Sequence, residues 1–322
     1  MGIATLAHVE MKCDRLEESV QHFTEVVGLE ETRRDDGKVY LRAYGDWDAY
    51  TLVLADADDM GINHAAFKVE EESDLAAYQE RIEAAGYDTR WVEAGHEPGQ
   101  SRALRFDYPG SHPEHDHELE LVYDMEKADV PKAALSPLKN QPQGYPTSGV
   151  GLQRIDHLHL LVPNVEECRA FAEEVLDFKL RERVVAEDGH ETGVWMSVTP
   201  KVHELAFKEH TRADLNHIAY YLKYMGDLFR GAEILRNHEV PIYGGPSQHG
   251  ITQGNFMYHV EPSGNLFEFF NGNYSIFDPQ WEPITWHPEE LDAGWVWWGG
   301  KYDTPQTRAK RLALLGREPD DD

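Results

Sequence analysis

The sequence predicts an α+β protein of two domains, each made of paired βαβββ modules. Three observations carry that expectation. A strand-then-helix plan near the start returns mid-chain at a constant offset: His157 lies 157 − 8 = 149 residues after His8, and Leu176-Asp177-Phe178 stands 149 after Val27-Gly28-Leu29. Each half then has a second alternating run followed by a second helical pattern, INHAAFKV before EESDLAAYQERIEAAGYDTR and LNHIAYYL before MGDLFRGAEILRNHEVPIY. Between the halves, KADVPKAALSPLKNQPQGYPTSGVG is rich in Pro, Ser and Gly and lacks periodicity. The expected division is residues 1–130, a linker over 131–150, and 151–322 with a C-terminal tail, which fits about 150 residues per core.

In chain order, Leu6-Ala7-His8-Val9-Glu10 opens the first alternating run. DRLEESVQHFTEVVGLEE then sets Leu16, Val20, Phe23 and Val27 at helical spacing, with Asp14 as the expected N-cap and Gly28 as the stop. IDHLHLLVPNVEECRAFAEEVLDFKLRER repeats that plan in the second half. From Gly245 to Gly272, GPSQHGITQGNFMYHVEPSGNLFEFFNG reads as two strands around a Pro-Ser-Gly turn. Side chains alternate in a strand, so Leu266, Glu268 and Phe270 share one face, Phe267 and Phe269 the other. A carboxylate in such surroundings is costly to bury unless it is paired or bound to a metal. The tail, from about Asp278, holds TWHPEELDAGWVWWGGKYDTP and a basic, helical end.

Composition narrows the function classes. With 59 acidic against 30 basic residues the formal net charge is -29, which repels nucleic acid and anionic membrane. Only 12 of the 30 basic residues are Lys, and an acidic, lysine-poor surface resembles proteins of a high-salt cytoplasm, where salt screens the self-repulsion. No apolar run is long enough to span a bilayer, and the start lacks the signal-peptide pattern. Two cysteines, Cys13 and Cys168, fit a reducing interior, so the expected location is cytoplasmic.

Three polar residues sit on otherwise apolar strands of the second half: His157 in RIDHLHLL, His217 in DLNHIAYYL and Glu268 in NLFEFF. Two imidazoles and one carboxylate on one side of a metal leave positions open for substrate and oxygen. A lone histidine on such a strand is more often a satisfied core residue. Three on three strands point to a ligand set, without identifying the metal. Nearby are His203 in KVHELAF, 14 residues before His217, His249 in the loop GPSQHGI, and Tyr258 in NFMYHV, ten before Glu268.

With these motifs, RIDHLHLL, KVHELAFKEH, LNHIAYYL, GPSQHGITQG and YHVEPSGNLFEFF, the second half resembles the type I extradiol ring-cleavage dioxygenases of the vicinal oxygen chelate superfamily, and among them catechol 2,3-dioxygenase. The first half matches through HVEMK, HFTEVVGLEE, DDGKVYLRAYGDWD and FKVEEE. The resemblance implies Fe(II) on His157, His217 and Glu268, and the same ligands accept Mn(II). It implies His203 as the acid/base that manages protons, and Tyr258 and His249 as hydrogen-bond partners of the catecholate oxygens and ring. The implied reaction is extradiol (meta) cleavage of catechol by O2 to 2-hydroxymuconate semialdehyde, in aromatic catabolism, by a homotetramer. Alkylcatechols, homoprotocatechuate or 2,3-dihydroxybiphenyl are the alternative substrates. The rival classes are metal-dependent lyases and isomerases such as glyoxalase I, which lack the set His203, His249 and Tyr258, and binding proteins of the superfamily, which are short single-module pairs that dimerise.

Other residues have competing readings. His8, His64 and Glu120 repeat the triad in the first half, but the resemblance implies a domain without metal there, with Tyr50 in the place of His203 and nothing matching His249 and Tyr258. SHPEHDHELEL, with His112, His115 and His117, reads as a solvated turn. His159 shares a face with His157 and either lines the pocket or supports a ligand. Trp195 reads as core, and WVWWGG (Trp295, Trp297, Trp298) as a packing patch more than a lid. Relatives that take carboxylated catechols use an arginine before the loop histidine. PIYGGPSQH has none, which favours uncharged catechol or alkylcatechols.

Overall fold

The structure is a computed structural model that describes residues 2–109, 118–300, 302 and 307–318. His112, His115 and His117 therefore lie outside the described residues. The first sheet contains β1 (Ile3–Cys13), β2 (Glu30–Asp35), β3 (Lys38–Arg42), β4 (Leu52–Asp56), β5 (Gly61–Val69), β6 (Thr89–Val92), β7 (Ala103–Phe106) and β8 (Glu118–Val122). Helix α1 (Leu16–Gln21) follows β1 and α2 (Asp74–Ala84) follows β5. The spatial order β2-β3-β4-β1-β5-β8-β7-β6 is two βαβββ modules joined by an antiparallel β1–β5 seam.

The second sheet repeats this with β9 (Arg154–Val162), β10 (Lys179–Val185), β11 (Glu191–Ser197), β12 (Leu205–Glu209), β13 (Asp214–Tyr221), β14 (Ile242–Gln248), β15 (Gly254–Val260) and β16 (Leu266–Gly272). Helices α3 (Val165–Glu174) and α4 (Met225–Asn237) follow β9 and β13. The tail adds β17 (Ile284–Trp286), α5 (Leu291–Trp295), β18 (Trp298–Gly299) and α6 (Arg308–Leu314), its two strands flanking the sheet edges. The α+β architecture of paired βαβββ modules is thus as expected.

One apolar core draws on both halves, with Phe23 against Phe267 (centroids 5.0 Å) and Phe67 against Phe178 (5.5 Å). Burying each such ring contributes roughly 1.5–3 kcal/mol. Phe267 and Phe269 belong to that core, whereas Glu268 and Phe270 line a pocket on the opposite face of the sheet. The alternation read from the sequence places the carboxylate on the pocket side.

Two helix ends explain the repeat offset. After α1 the chain makes one wider turn, His22–Val27, and stops at Gly28 with φ +88, where a Cβ would lie 2.3 Å from the Ser148 carbonyl oxygen. After α3, Asp177 takes the same left-handed conformation at φ +61, and its carboxylate accepts from Arg81 and from the Tyr78 hydroxyl. The expected N-cap fails: Arg15 holds that position with no side-chain cap, because Asp14 is taken by the Arg317 guanidinium. Residues 131–150 hold no helix or strand, but Gln143 bonds Arg42 and Glu30, and Val150 N–H donates to Val26 O at 3.2 Å.

Candidate metal centre

The register sets four residues abreast across neighbouring strands: His157, Ala219, Glu268 and Tyr258. Ala219 contributes only a methyl, which leaves room between imidazole and carboxylate. His217, two residues earlier on β13, shares that face. His157 Nε2 lies 2.9 Å and His217 Nε2 3.2 Å from Glu268 Oε2, and the two nitrogens are 3.4 Å apart. Glu268 is 1% exposed, yet Oε2 receives no hydrogen bond of acceptable geometry despite those short approaches. The three donor atoms lie within 4.8 Å of one another around a common point, close enough to hold one metal ion.

The opposite imidazole nitrogens are committed. His157 Nδ1 lies 3.0 Å from Asp156 Oδ2, and His217 Nδ1 2.7 Å from Asn216 Oδ1. Both oxygens only accept, so each Nδ1 carries the proton and each Nε2 presents its lone pair to the common point. Burial pushes the Glu268 carboxyl up, but His217 and His157 outweigh it and hold it well below the usual carboxylate range. These residues fit a divalent metal. Asp156 and Asn216 escaped the sequence reading, although each is the polar residue immediately before a candidate ligand.

His203, His249 and Tyr258 line the same pocket. The His203 ring centroid lies 4.0 Å from that of His157, and its Nδ1 makes no hydrogen bond. Burial, then the neighbouring His157, push its pKa well below the ordinary value, so it is an unprotonated base. His249 stacks on Phe256 at 3.8 Å, and burial pushes it down to about 4. Its Nδ1 donates to Trp295 O at 2.6 Å, so its Nε2 accepts from the Tyr258 hydroxyl at 3.1 Å. Burial, then Glu268, raise Tyr258 well above the ordinary phenol value and keep it protonated.

His159, Trp195, Lys208, Trp295 and Tyr302 complete much of the wall. Trp295 corrects the packing-patch reading, since its segment both walls the pocket and holds His249. Trp298 instead donates to Gln248, and Trp297 is exposed. Trp195 packs with Val184, Ala206 and Ile251 as a core residue while its ring faces the pocket.

The first half has the homologous row His8, Ala66, Glu120 and Arg105. Arg105 thus stands where Tyr258 stands in the second half. Its guanidinium donates to Glu120 and Glu97 and lies 3.2 Å from His64 Nε2. Gln100 also donates to Glu120, at 2.6 Å, while Nδ1 of His8 and of His64 lack partners. Arg105 thus neutralises the carboxylate a metal would use, Glu97 lies 3.1 Å from both His8 Nε2 and His64 Nε2, and the orienting acceptors are missing. The triad His8, His64 and Glu120 does not fit a metal as it stands. Tyr50 does take the place of His203, its ring 5.2 Å from His8.

Comparison with known proteins agrees with this geometry. Residues 154–269 match the model of the Glyoxalase/Bleomycin resistance protein/Dioxygenase superfamily, and residues 62–121 that of the Catechol 2,3-dioxygenase-like N-terminal domain. A manganese-dependent 2,3-dihydroxybiphenyl 1,2-dioxygenase of Geobacillus genomosp. 3 is 38% identical over 92% of this chain and 94% of its own length. A metapyrocatechase of Geobacillus stearothermophilus is 32% identical, covering 92% and 90% respectively. Among solved structures, the 2,3-dioxygenase LapB of Pseudomonas sp. KL28 superposes with a TM-score of 0.82 at 31% identity, covering 90% of this chain and 99% of that one. The chain belongs to the extradiol dioxygenase family of the vicinal oxygen chelate superfamily.

Proposed function

We propose that the protein cleaves catechol at the bond beside its two hydroxyls, inserting both atoms of O2 to give 2-hydroxymuconate semialdehyde in aromatic catabolism. The reading rests on one observation above all: a buried carboxylate oxygen without a hydrogen bond, between two imidazole nitrogens whose far sides are fixed by acceptors. His157, His217 and Glu268 are its proposed ligands for Fe(II), with Mn(II) the other candidate in view of the manganese-dependent relative. A metal held there supplies Lewis acidity toward the diol and a meeting place for diol and O2.

The chain's own groups have the following roles. His203 takes a hydroxyl proton on an unprotonated ring nitrogen and later returns it to the departing oxygen. Tyr258 gives its single O–H to His249 Nε2 in this structure and turns that proton toward the ring oxygens as charge develops on them. His249, fixed through Trp295 O, holds that hydroxyl in place with Nε2. Trp195, Ile251, Phe270 and Trp295 give the pocket an apolar side against which a ring can pack. The same reading includes catalysis by residues 151–322 alone, a cytoplasmic location and a homotetramer. No described helix is long and apolar enough to cross a membrane, and both cysteines are free and buried. The test is to load the protein with Fe(II) anaerobically, add catechol and admit oxygen. Yellow semialdehyde is expected, and its absence with catechol, 3-methylcatechol and 2,3-dihydroxybiphenyl alike overturns the assignment.

A further inference from the structure

The expectation of an uncharged substrate came from a segment without arginine. The pocket nevertheless contains a cation from another strand. Lys208 lies on β12 beside Leu161 of β9, and Ala206 lies beside His159, so along the shared face Lys208 stands four strand positions beyond His157. At about 3.3 Å per residue that places its backbone about 13 Å along the strand direction from His157. Its ammonium sits 4.7 Å from the Trp295 ring centroid. Glu268 is the one acid among the pocket-lining residues, and it belongs to the triad. Lys208 is partly exposed, and a cation that meets no carboxylate at the wall of a pocket favours an anionic partner there.

Midway in register between Lys208 and the ligand level stands His159. His159 is buried, its Nε2 makes no hydrogen bond, and its ring packs edge-on against His217 at 4.9 Å. Trp195, 6.2 Å from His159, and Trp295, under the Lys208 ammonium, are aromatic walls of the same pocket. The near end of the pocket thus suits a diol, the middle an aromatic ring, and the far end an oxyanion.

The geometry points to Lys208, with His159 beside it, as the specificity site for a carboxylate carried on the catechol ring. Lys208 is a specificity-determining residue that acts away from the reacting atoms. This rests on the diol being held at the triad, and it revises the uncharged preference read from PIYGGPSQH.

The test compares two probes matched in shape, 3,4-dihydroxyphenylacetate and 4-ethylcatechol, with wild type, Lys208→Met and Lys208→Arg. Turnover of the metal-loaded enzyme gives the ratio of kcat/KM for the acid over the neutral catechol. Anaerobic quenching of tryptophan fluorescence gives the ratio of Kd values without chemistry. Replacing a charge-assisted hydrogen bond should lower both ratios by roughly 10- to 100-fold in Lys208→Met, with most of the loss restored in Lys208→Arg. Ratios that Lys208→Met leaves unchanged overturn the proposal, as does an equal loss for both probes, which would make Lys208 a strut for Trp295. If binding selectivity moves as expected but neither probe is cleaved, the subsite stands and the dioxygenase reading falls. If both are cleaved without a shift in selectivity, the reverse holds.

Discussion

Asp156→Asn tests how the site is oriented. The carboxylate is 1% exposed, accepts from His157 Nδ1 at 3.0 Å, and is neutralised by Arg154 and by Lys201 at 3.6 Å. Burial pushes its pKa up, but Lys201 and Arg154 outweigh that and keep it ionised. The amide still offers an acceptor to Nδ1 but removes the charge that makes Nε2 a stronger donor to the metal. Loss of such a partner weakens metal binding by roughly 10- to 100-fold, or about 1.4–2.7 kcal/mol. The fold should survive, because Lys201 keeps Glu204 at 3.5 Å and Arg154 keeps the Tyr221 ring at 4.2 Å. The assay is anaerobic titration of metal-free protein with Mn(II) against a chromogenic chelator, with a melting curve as control. A Kd within about twofold of wild type, at unchanged melting temperature, would refute the claim that Asp156 orients a ligand.

Three further expectations follow from other parts of the molecule. His203→Gln should lower kcat by roughly 10²- to 10⁴-fold while metal content stays at the wild-type level, and retention of full kcat would remove its acid/base role. Asp46, buried between Ala43 N–H, Thr51 and Ile155 N–H, has its pKa raised by burial to about 6 from 3.8. The unfolded chain therefore releases this proton first as pH rises, so the group's contribution to stability falls by about 3 kcal/mol between roughly pH 4 and 6. Denaturant unfolding of Asp46→Asn against wild type should show that gap change, and a constant gap would contradict it. The net charge of -29 predicts a melting temperature that rises by several degrees from about 0.01 M to about 1 M salt, as the screening length falls from about 30 to about 3 Å. A flat response would argue against adaptation to high salt.

The fold was legible because its signals are local and repeated. Gly28 and Asp177 stop equivalent helices, and alternation alone put Glu268 and Phe267 on opposite faces, which the structure turns to the pocket and to the core. All six expected site residues fall in one pocket for the same reason, each lying on or beside a strand whose period is known. What escaped depends on register between distant strands. Arg105 faces Glu120 only because β7 pairs with β8 at that position, and no local pattern reveals an internal cation. Lys208 and Trp295 meet across 87 residues of chain, from 208 to 295, so a pocket cation was invisible in the loop where it was sought. Asp14 failed as a cap because a competing guanidinium, Arg317, arrives from the far end of the chain.

The second half is proposed to hold the metal, while a guanidinium occupies the equivalent place in the first. Metal content per chain, measured after saturation with Fe(II) or Mn(II) and removal of excess, tests it most directly in wild type, Glu268→Ala and Glu120→Ala. The expected result is one ion per wild-type chain, lost in Glu268→Ala and kept in Glu120→Ala. Two ions per chain, or an ion that survives Glu268→Ala and vanishes in Glu120→Ala, would contradict it.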